Sequence, residues 1–161
     1  MYHRSFLFLL LAMGIAANAL ALPDDKDQPV ELAADSVDMD QSKGVSVYRG
    51  NVDLRQGSMQ LLADVVTVKH EGRAPTHITA TGNPVRFKQD TAEGVVRGKA
   101  LKADYGVDAE TLILTDKASL TRAGNTMKSD RIVYDRVRHQ VKGGAAAEGK
   151  KRVFMTLQPG K

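Results

Sequence analysis

The sequence predicts an all-β protein built from repeated antiparallel β layers, and three observations support this. From Val30 to Leu157, apolar and polar residues alternate with the period of two that strands require, and no stretch carries the 3.6-residue stripe of a helix. Glycine, asparagine, aspartate or proline interrupts the alternation every eight to twelve residues, which is typical of all-β folds. The chain also matches itself at an offset of 66 residues, with Leu54 on Leu120 and Asp64 on Asp130, which favours a stack of similar layers.

The first 21 residues have the pattern of a secretory signal peptide. Arg4 gives a short basic start, the run from Ser5 to Ala17 is almost wholly apolar, and Ala19-Leu20-Ala21 is a small-x-small cleavage site. The apolar run has 13 residues, fewer than the roughly 20 needed to span a bilayer. We therefore predict export with cleavage after Ala21, with Ala19 as the competing site, rather than a membrane anchor.

The mature chain, residues 22–161, has a length of 140 residues and is predicted to form one domain. Its formal charge falls from +4 to +3, because the signal segment contains Arg4 and no acid. A net positive charge this small, with basic and acidic residues interleaved along the chain, argues against a nucleic-acid-binding surface. Cysteine and tryptophan are absent, so sheet pairing and burial of aliphatic side chains must hold the domain together.

Each candidate strand is a short alternating or β-branched run that ends at a turn residue. The run from Val30 ends before Asp35, and the run from Val45 ends before Gly50. In chain order, the candidates are Val30 to Ala34, Val37 to Met39, Val45 to Tyr48, Val52 to Arg55, Met59 to Val68, Ile78 to Thr81, Val85 to Gln89, Val95 to Tyr105, Thr111 to Thr115, Ser119 to Thr121, Thr126 to Tyr134, His139 to Lys142 and Val153 to Leu157.

A small residue followed by aspartate occurs four times and predicts corners in the strands. The apolar phase jumps by three residues across Asp35, Asp64 and Asp130, and an odd jump in a period-two ribbon requires a bulge or a bend. The fourth copy, at Asp104, lacks this jump. We expect the corner aspartates to accept backbone N–H groups that the bends leave unpaired. Their regular recurrence fits this structural role better than metal binding or acid-base chemistry.

The sequence carries no recognisable catalytic or metal-binding motif. The mature histidines are His70, His77 and His139, without His-x-x-x-His spacing, and no Gly-x-Ser-x-Gly elbow is present. The stretch from Gly143 to Arg152 is small, flexible and then basic, which predicts a mobile loop before the last strand. The sequence therefore predicts no metal site, no cofactor and no enzymatic activity.

Several short segments match one protein family in their order and spacing. They are Asp27-Gln28-Pro29-Val30, Tyr48-Arg49-Gly50-Asn51-Val52, Arg55-Gln56-Gly57-Ser58-Met59, Leu62-Ala63-Asp64, Ala80-Thr81-Gly82-Asn83-Pro84-Val85-Arg86-Phe87 and Arg152-Val153. Together they resemble the LptA (OstA-like) family of lipopolysaccharide transport proteins, over about Asp27 to Pro159. The chain departs from the family pattern at Thr115-Asp116-Lys117-Ala118, where the family often has Gly-Asn, and its tail ends soon after the last strand.

The resemblance implies a periplasmic, open V-shaped β jelly roll whose apolar interior accepts the acyl chains of lipid A. It also implies three kinds of partner: lipopolysaccharide, LptC at the inner membrane and LptD at the outer membrane. Copies would join head to tail through their end strands and so bridge the two membranes. Physical reasoning agrees, because a chain of about a dozen carbons carries roughly 10 kcal/mol of burial and needs a continuous aliphatic shelter in water. Unclosed sheet ends provide edges for strand addition.

Alternation and family position together give the expected lipid-contacting residues. Phe87 is the strongest candidate, because a large ring in an aliphatic trough can grip or gate an acyl chain. The expected inward set is Val30, Leu32, Val52, Leu54, Met59, Leu61, Val85, Phe87, Leu101, Tyr105, Leu112, Leu114, Ile132 and Tyr134. The residues expected on the pairing edges are Val30, Leu32, Val153, Phe154, Met155 and Leu157.

Two other functions are compatible with the residues. One is a β-solenoid adaptor that binds only protein and has a closed aliphatic core. The other is a periplasmic enzyme that acts on an acidic glycan through aspartates such as Asp64 and Asp130. Lipid A that co-purifies with the protein would favour the carrier over both.

Overall fold

The computed structural model describes residues 25–159, and the predicted signal peptide lies outside them. In chain order, the elements are a 3-10 helix at Asp25–Asp27, β1 at Val30–Ala33, β2 at Ser36–Asp40, β3 at Val45–Gln56, β4 at Met59–Glu71, β5 at Ala74–Thr91, β6 at Gly94–Gly106, β7 at Thr111–Arg122, β8 at Asn125–Asp135, β9 at Gln140–Gly143, a 3-10 helix at Gly144–Ala147 and β10 at Phe154–Thr156. All strand pairs are antiparallel, which confirms the all-β prediction.

The ten strands form one open sheet. Its order is β1-β3-β4-β5-β6-β7-β8-β10, with β2 also paired to β3 and β9 also paired to β8. Two short strands therefore cover each end of the sheet: β1 and β2 lie along β3, and β9 and β10 lie along β8. Within residues 25–159 the sheet does not close on itself, which confirms the predicted open architecture. No helix in this described part is long and apolar enough to cross a membrane.

Three pairs of candidate strands are single strands in the structure. The runs expected on either side of Gly50 both lie in β3, those flanking Gly82 both lie in β5, and those flanking Asp116 both lie in β7. The turn-forming residues bend these strands without reversing them. Gly50 has a φ of 81° and Asp116 a φ of 63°, a left-handed conformation that kinks the ribbon while pairing resumes beyond it.

The bends line up across the sheet and divide it into two arms. Register shifts separate residues 49 and 52 in β3, 62 and 65 in β4, 81 and 85 in β5, 99 and 102 in β6, and 115 and 118 in β7. We call residues 30–33, 52–63, 85–100, 118–129 and 154–156 arm I, and residues 36–49, 65–81, 102–115 and 131–143 arm II. The two arms meet at the line of bends, as the two sides of a V do.

Three of the small-Asp steps lie at this line, as the sequence predicts. Asp35 lies between β1 and β2, Asp64 lies in the register shift of β4, and Asp130 lies between the segments of β8 that pair with β10 and with β9. Asp104 lies in regular pairing, in agreement with its missing phase jump.

The expected bonding role of the corner aspartates is right for Asp130 only. Its Oδ2 accepts hydrogen bonds from the backbone N–H groups of Lys150 (2.7 Å) and Lys151 (3.2 Å). Asp35 accepts instead from the side-chain amide of Asn51, at 2.9 Å. Asp64 is exposed and has no side-chain hydrogen bond to any described residue, so its carboxylate is open to solvent.

The two arms pack face to face around one hydrophobic core. Its buried members come from both arms, and the most deeply buried large side chains include Leu54 and Val85 of arm I and Leu112 and Tyr134 of arm II. This burial is the largest favourable contribution to folding, since the described residues contain no disulfide and no metal-ligand cluster.

Candidate functional site

Three rows of inward-facing residues cross the interior along the hydrogen-bonding direction, and we call them lanes. Because each member is the direct cross-strand partner of the next, its side chain lies beside its neighbour's. The lane of arm I is Leu32, Leu54, Leu61, Phe87, Gly98, Leu120, Met127 and Met155. The lanes of arm II are Tyr48, Val66, Ala80, Ala103, Leu114 and Ile132, and Ser46, Val68, Ile78, Tyr105, Leu112, Tyr134 and Val141.

The lane of arm I is apolar over its whole length. It begins on β1 and ends on β10, so it reaches both ends of the sheet without a charged side chain in between. Apolar residues stay exposed near both ends of the interior, with Val37 and Met39 on β2 and Met155 and Leu157 at β10. The lane of arm I is therefore one continuous apolar strip, and the strand at each of its ends has an edge left unpaired among the described residues.

Most of the expected inward residues lie in this core. Val30 and Leu32 on the end strand β1 are partly buried against it. The residues buried within it are Val52, Leu54, Met59, Leu61, Val85, Phe87, Tyr105, Leu112, Leu114, Ile132 and Tyr134.

Leu101 was wrongly expected to face inward. The inward phase of β6 slips by one residue at the register shift between Lys99 and Lys102, so that Ala100 and Ala103 take the inward positions on either side of it. Leu101 is left half-exposed outside the core. This placement has no signal in the sequence, because the phase jump at this corner does not coincide with the aspartate step at Asp104.

Phe87 lies beside a close contact between the two arms. Its ring is 3% exposed and lies beside Gly98 in the same lane. A Cβ at Gly98 would be 2.9 Å from Leu114 Cδ1, so the missing side chain makes room for a leucine of arm II. The arms are thus in van der Waals contact here, and the interior is filled by its own side chains.

A buried polar cluster, which we call the clasp, joins the arms at their outer margin. It consists of Asp25, Gln89, Tyr105, Glu110 and Arg136, and Arg136 is only 5% exposed. The Arg136 guanidinium donates to Gln89 Oε1 (3.1 Å), to the Tyr105 hydroxyl and to Asp25 Oδ2 (3.3 Å). A Glu110 oxygen lies 3.9 Å from the guanidinium.

The clasp connects three separate parts of the chain. Asp25 also accepts from the backbone N–H and hydroxyl of Ser58 and from the side-chain amide of Gln89, so the first 3-10 helix is tied to arm I. Tyr105 and Arg136 both belong to arm II, and Arg136 is the residue directly after β8. Burial raises the pKa of Tyr105, so its phenol stays protonated and neutral.

The clasp was not predicted, although its signal is present in the sequence. Arg136 continues the inward phase of Ile132 and Tyr134, and Gln89 continues the inward phase of Val85 and Phe87. A polar residue in phase with a buried series, just beyond the end of a strand, indicates a buried polar contact at the margin of the core.

The end strands lie where the sequence places them. β1 pairs with residues 53–56 of β3, and β10 pairs with residues 126–128 of β8, so each leaves one edge unpaired among the described residues. Phe154 and Met155 are in β10, and Val153 and Leu157 flank it. All four are exposed.

Comparison with known proteins gives consistent results. The family model described as LptA/(LptD N-terminal domain) LPS transport protein matches residues 31–140. The lipopolysaccharide export system protein LptH of Pseudomonas aeruginosa is 35% identical, over 95% of this chain and 91% of LptH. Lipopolysaccharide export system protein LptA of Escherichia coli K12 is 32% identical, over 98% of this chain and 87% of LptA.

A solved structure shares the fold. The crystal structure of LptH from Pseudomonas aeruginosa, described as the LptA homologous periplasmic component of the conserved lipopolysaccharide transport device, aligns with a TM-score of 0.77. The aligned sequences are 33% identical, over 85% of this chain and 100% of that chain.

Proposed function

The chain belongs to the LptA/LptD N-terminal domain family of lipopolysaccharide transport proteins, and we propose that it carries lipopolysaccharide through the periplasm with the lipid A acyl chains held between its two arms. This function is transport and involves no catalysis. The observation that carries the proposal is the lane of arm I, which is apolar from β1 to β10. An acyl chain in this lane is shielded from water along its length.

Acyl chains enter by displacing contacts between the arms. The arms are packed together in this structure, so an acyl chain replaces side-chain contacts such as that of Leu114 at Gly98. Burying a chain of about a dozen carbons contributes roughly 10 kcal/mol, which offsets the loss of several side-chain contacts. Smooth aliphatic walls with few polar groups allow the chain to slide.

The ends of the sheet support head-to-tail assembly. β1 and β10 both belong to arm I, and β2 and β9 both belong to arm II. Pairing β1 with β10 of the next copy therefore also brings β2 toward β9, and both arms continue across the junction. Main-chain hydrogen bonds supply the affinity, and the exposed apolar residues of β10 add buried area. In this way copies bridge from LptC at the inner membrane to LptD at the outer membrane.

The lipid-binding part is tested by photo-crosslinking at Phe87. A benzophenone side chain at residue 87 keeps an aromatic group in the lane, and we expect it to form an adduct with lipopolysaccharide in cells. The matched control is Lys69, on the outer face of arm II, where we expect no adduct. Equal labelling at both positions, or a clean absence at Phe87, would count against an acyl-chain site in the interior.

The assembly part is tested with cysteines, because the chain has none of its own. Glu31→Cys labels β1 and Thr156→Cys labels β10. With a short bifunctional thiol reagent, we expect crosslinked dimers when the two variants are mixed and little crosslinking of either variant alone. Dimers formed equally well by each variant alone would indicate head-to-head or tail-to-tail contacts instead.

A further inference from the structure

We propose that the outer face of arm I docks on an anionic lipid surface. This surface is separate from the interior lanes, because its side chains point away from the core. It is centred on Arg86, Lys88, Arg97 and Lys99, which we call the cation square. All four residues are exposed.

The cation square consists of two like-charge pairs on adjacent strands. Arg86 of β5 lies directly opposite Lys99 of β6, and Lys88 lies directly opposite Arg97. Direct cross-strand partners have Cβ atoms about 5 Å apart, and like charges at that separation destabilise a sheet. A bound anion removes this repulsion, whereas the free protein keeps it.

The square is poorly neutralised by the rest of the protein. Only Lys88 has an acidic partner, with its Nζ 3.6 Å from Asp90. Arg86, Arg97 and Lys99 form no ion pair or side-chain hydrogen bond with any described residue.

Some cations elsewhere on the outer surface are paired with acids. On arm I, Arg55 pairs with Asp53 at 2.8 Å. On arm II, Lys102 pairs with Asp104 at 2.9 Å. Three of the four cations of the square, in contrast, lack such a partner among the described residues.

The shape of this face favours a lipid surface over a single phosphate. A shallow groove of about 430 Å³ lies over the square, and a second of about 650 Å³ continues from Lys99 to Phe154. The cations sit on long, exposed side chains, with no buried donor to orient one phosphate. Leu62 is 39% exposed and Phe154 67% exposed, and both lie in the row of Arg86 and Lys99, where they face the lipid headgroup region.

The dimensions also fit a surface. From β4 to β10 this face crosses six strands, which at about 4.8 Å per strand spacing spans roughly 24 Å. Lys128 lies on the same row beyond Ser119 and extends the positive charge along it. A span of this length covers several adjacent anionic headgroups.

Vesicle flotation tests this proposal with the full-length mature protein. We expect binding to vesicles of equal parts phosphatidylcholine and phosphatidylglycerol and none to phosphatidylcholine alone. Arg97→Gln with Lys99→Gln should weaken binding about 25-fold, since each cation near an anionic surface contributes about a fivefold factor. The control, Lys69→Gln with Lys102→Gln, removes the same charge from the outer face of arm II and should change binding by less than about twofold.

Three results would overturn the proposal. These are no binding of the wild-type protein to the mixed vesicles, equal loss in both double variants, and complete competition by millimolar inorganic phosphate, which would indicate a site for single phosphates. Thermal unfolding without vesicles checks the fold of the Arg97 and Lys99 double variant, whose midpoint should rise because repulsion is relieved. Crosslinking at Phe87 in the same variant should be unchanged, so this proposal and interior lipid binding fail independently.

Discussion

Replacing Arg136 with methionine should lower the free energy of unfolding by about 3 kcal/mol. Removing one partner of a buried ion pair typically costs about 3–5 kcal/mol, because the other charge is left unpaired. The loss of stability is at the low end of this range, because Asp25 keeps its hydrogen bonds from Ser58 and from the side-chain amide of Gln89. Glu110, however, loses the nearby cation, and Tyr105 and Gln89 each lose a donor worth about 1 kcal/mol.

The matched control is Arg138→Met, two residues further along. Its side chain is 71% exposed and pairs with Asp135 at 2.8 Å on the surface. An exposed pair of this kind contributes at most about 1 kcal/mol. Both variants remove one arginine and add one methionine, so the difference between them isolates the effect of burial in the clasp.

Urea unfolding of the two variants gives the measurement. A loss of about 3 kcal/mol also corresponds to a melting midpoint lower by roughly 10 °C for a domain of this size. A double-mutant cycle with Asp25→Asn should give a coupling energy of about 1 kcal/mol or more, because the two side chains are in contact. If Arg136→Met and Arg138→Met cost the same, or if Asp25 and Arg136 act additively, then the clasp does not join the arms.

Three further predictions concern the core and the last strand. Gly98→Ala should cost about 1–3 kcal/mol in unfolding free energy, since the added Cβ would lie 2.9 Å from Leu114 Cδ1. In the control Gly106→Ala, the added Cβ would lie 3.8 Å from Ala109 Cβ, so this variant should cost less. Equal urea midpoints for the two variants would contradict the close contact between the arms. Leu114→Ala should cost about 2–5 kcal/mol and Leu101→Ala less than about 1 kcal/mol, and a larger loss at Leu101 would contradict its outward placement. Hydrogen bonds from the backbone N–H groups of the following loop lower the pKa of Asp130 below its ordinary 3.8. The contribution of Asp130 to holding that loop is therefore complete above about pH 4 and is lost as the pH falls through the lowered pKa. Asp130→Asn should speed limited proteolysis of the loop at pH 7, and unchanged cleavage would refute this role.

The alternating pattern was sufficient to predict the core but not the connections. Side chains alternate between the two faces of a strand, so Leu54, Leu61 and Phe87 lie on one face wherever the register is regular. The sheet keeps a regular register between the bends. Asp116 is ambiguous in sequence, because the same left-handed conformation serves a hairpin turn and a kink inside a paired strand. Which strands pair with one another decides between a hairpin turn and a kink. A single sequence does not show that pairing.

The margin of the core was hidden for a different reason. Arg136 and Gln89 are in phase with buried residues, but a charged or amide side chain at such a position normally marks the end of a buried series. Their burial depends on Asp25, which is 111 residues away from Arg136 along the chain. Contacts between residues so far apart in sequence cannot be predicted from a local pattern. The inward orientation of a lane residue, in contrast, follows from the alternation within its own strand.

The clasp and the core resist opening of the interior in different ways. Disrupting the clasp is expected to cost about 3 kcal/mol, which is less than the roughly 10 kcal/mol that one buried acyl chain of a dozen carbons supplies. An acyl chain in the interior can therefore open the clasp, whereas opening without lipid would also expose the apolar side chains of both arms to water. If this is correct, Arg136→Met should speed the uptake of a fluorescent fatty-acid probe without changing how much is bound at saturation, measured by stopped-flow fluorescence. An unchanged uptake rate would place lipid entry at the end strands and not along the margin that the clasp closes.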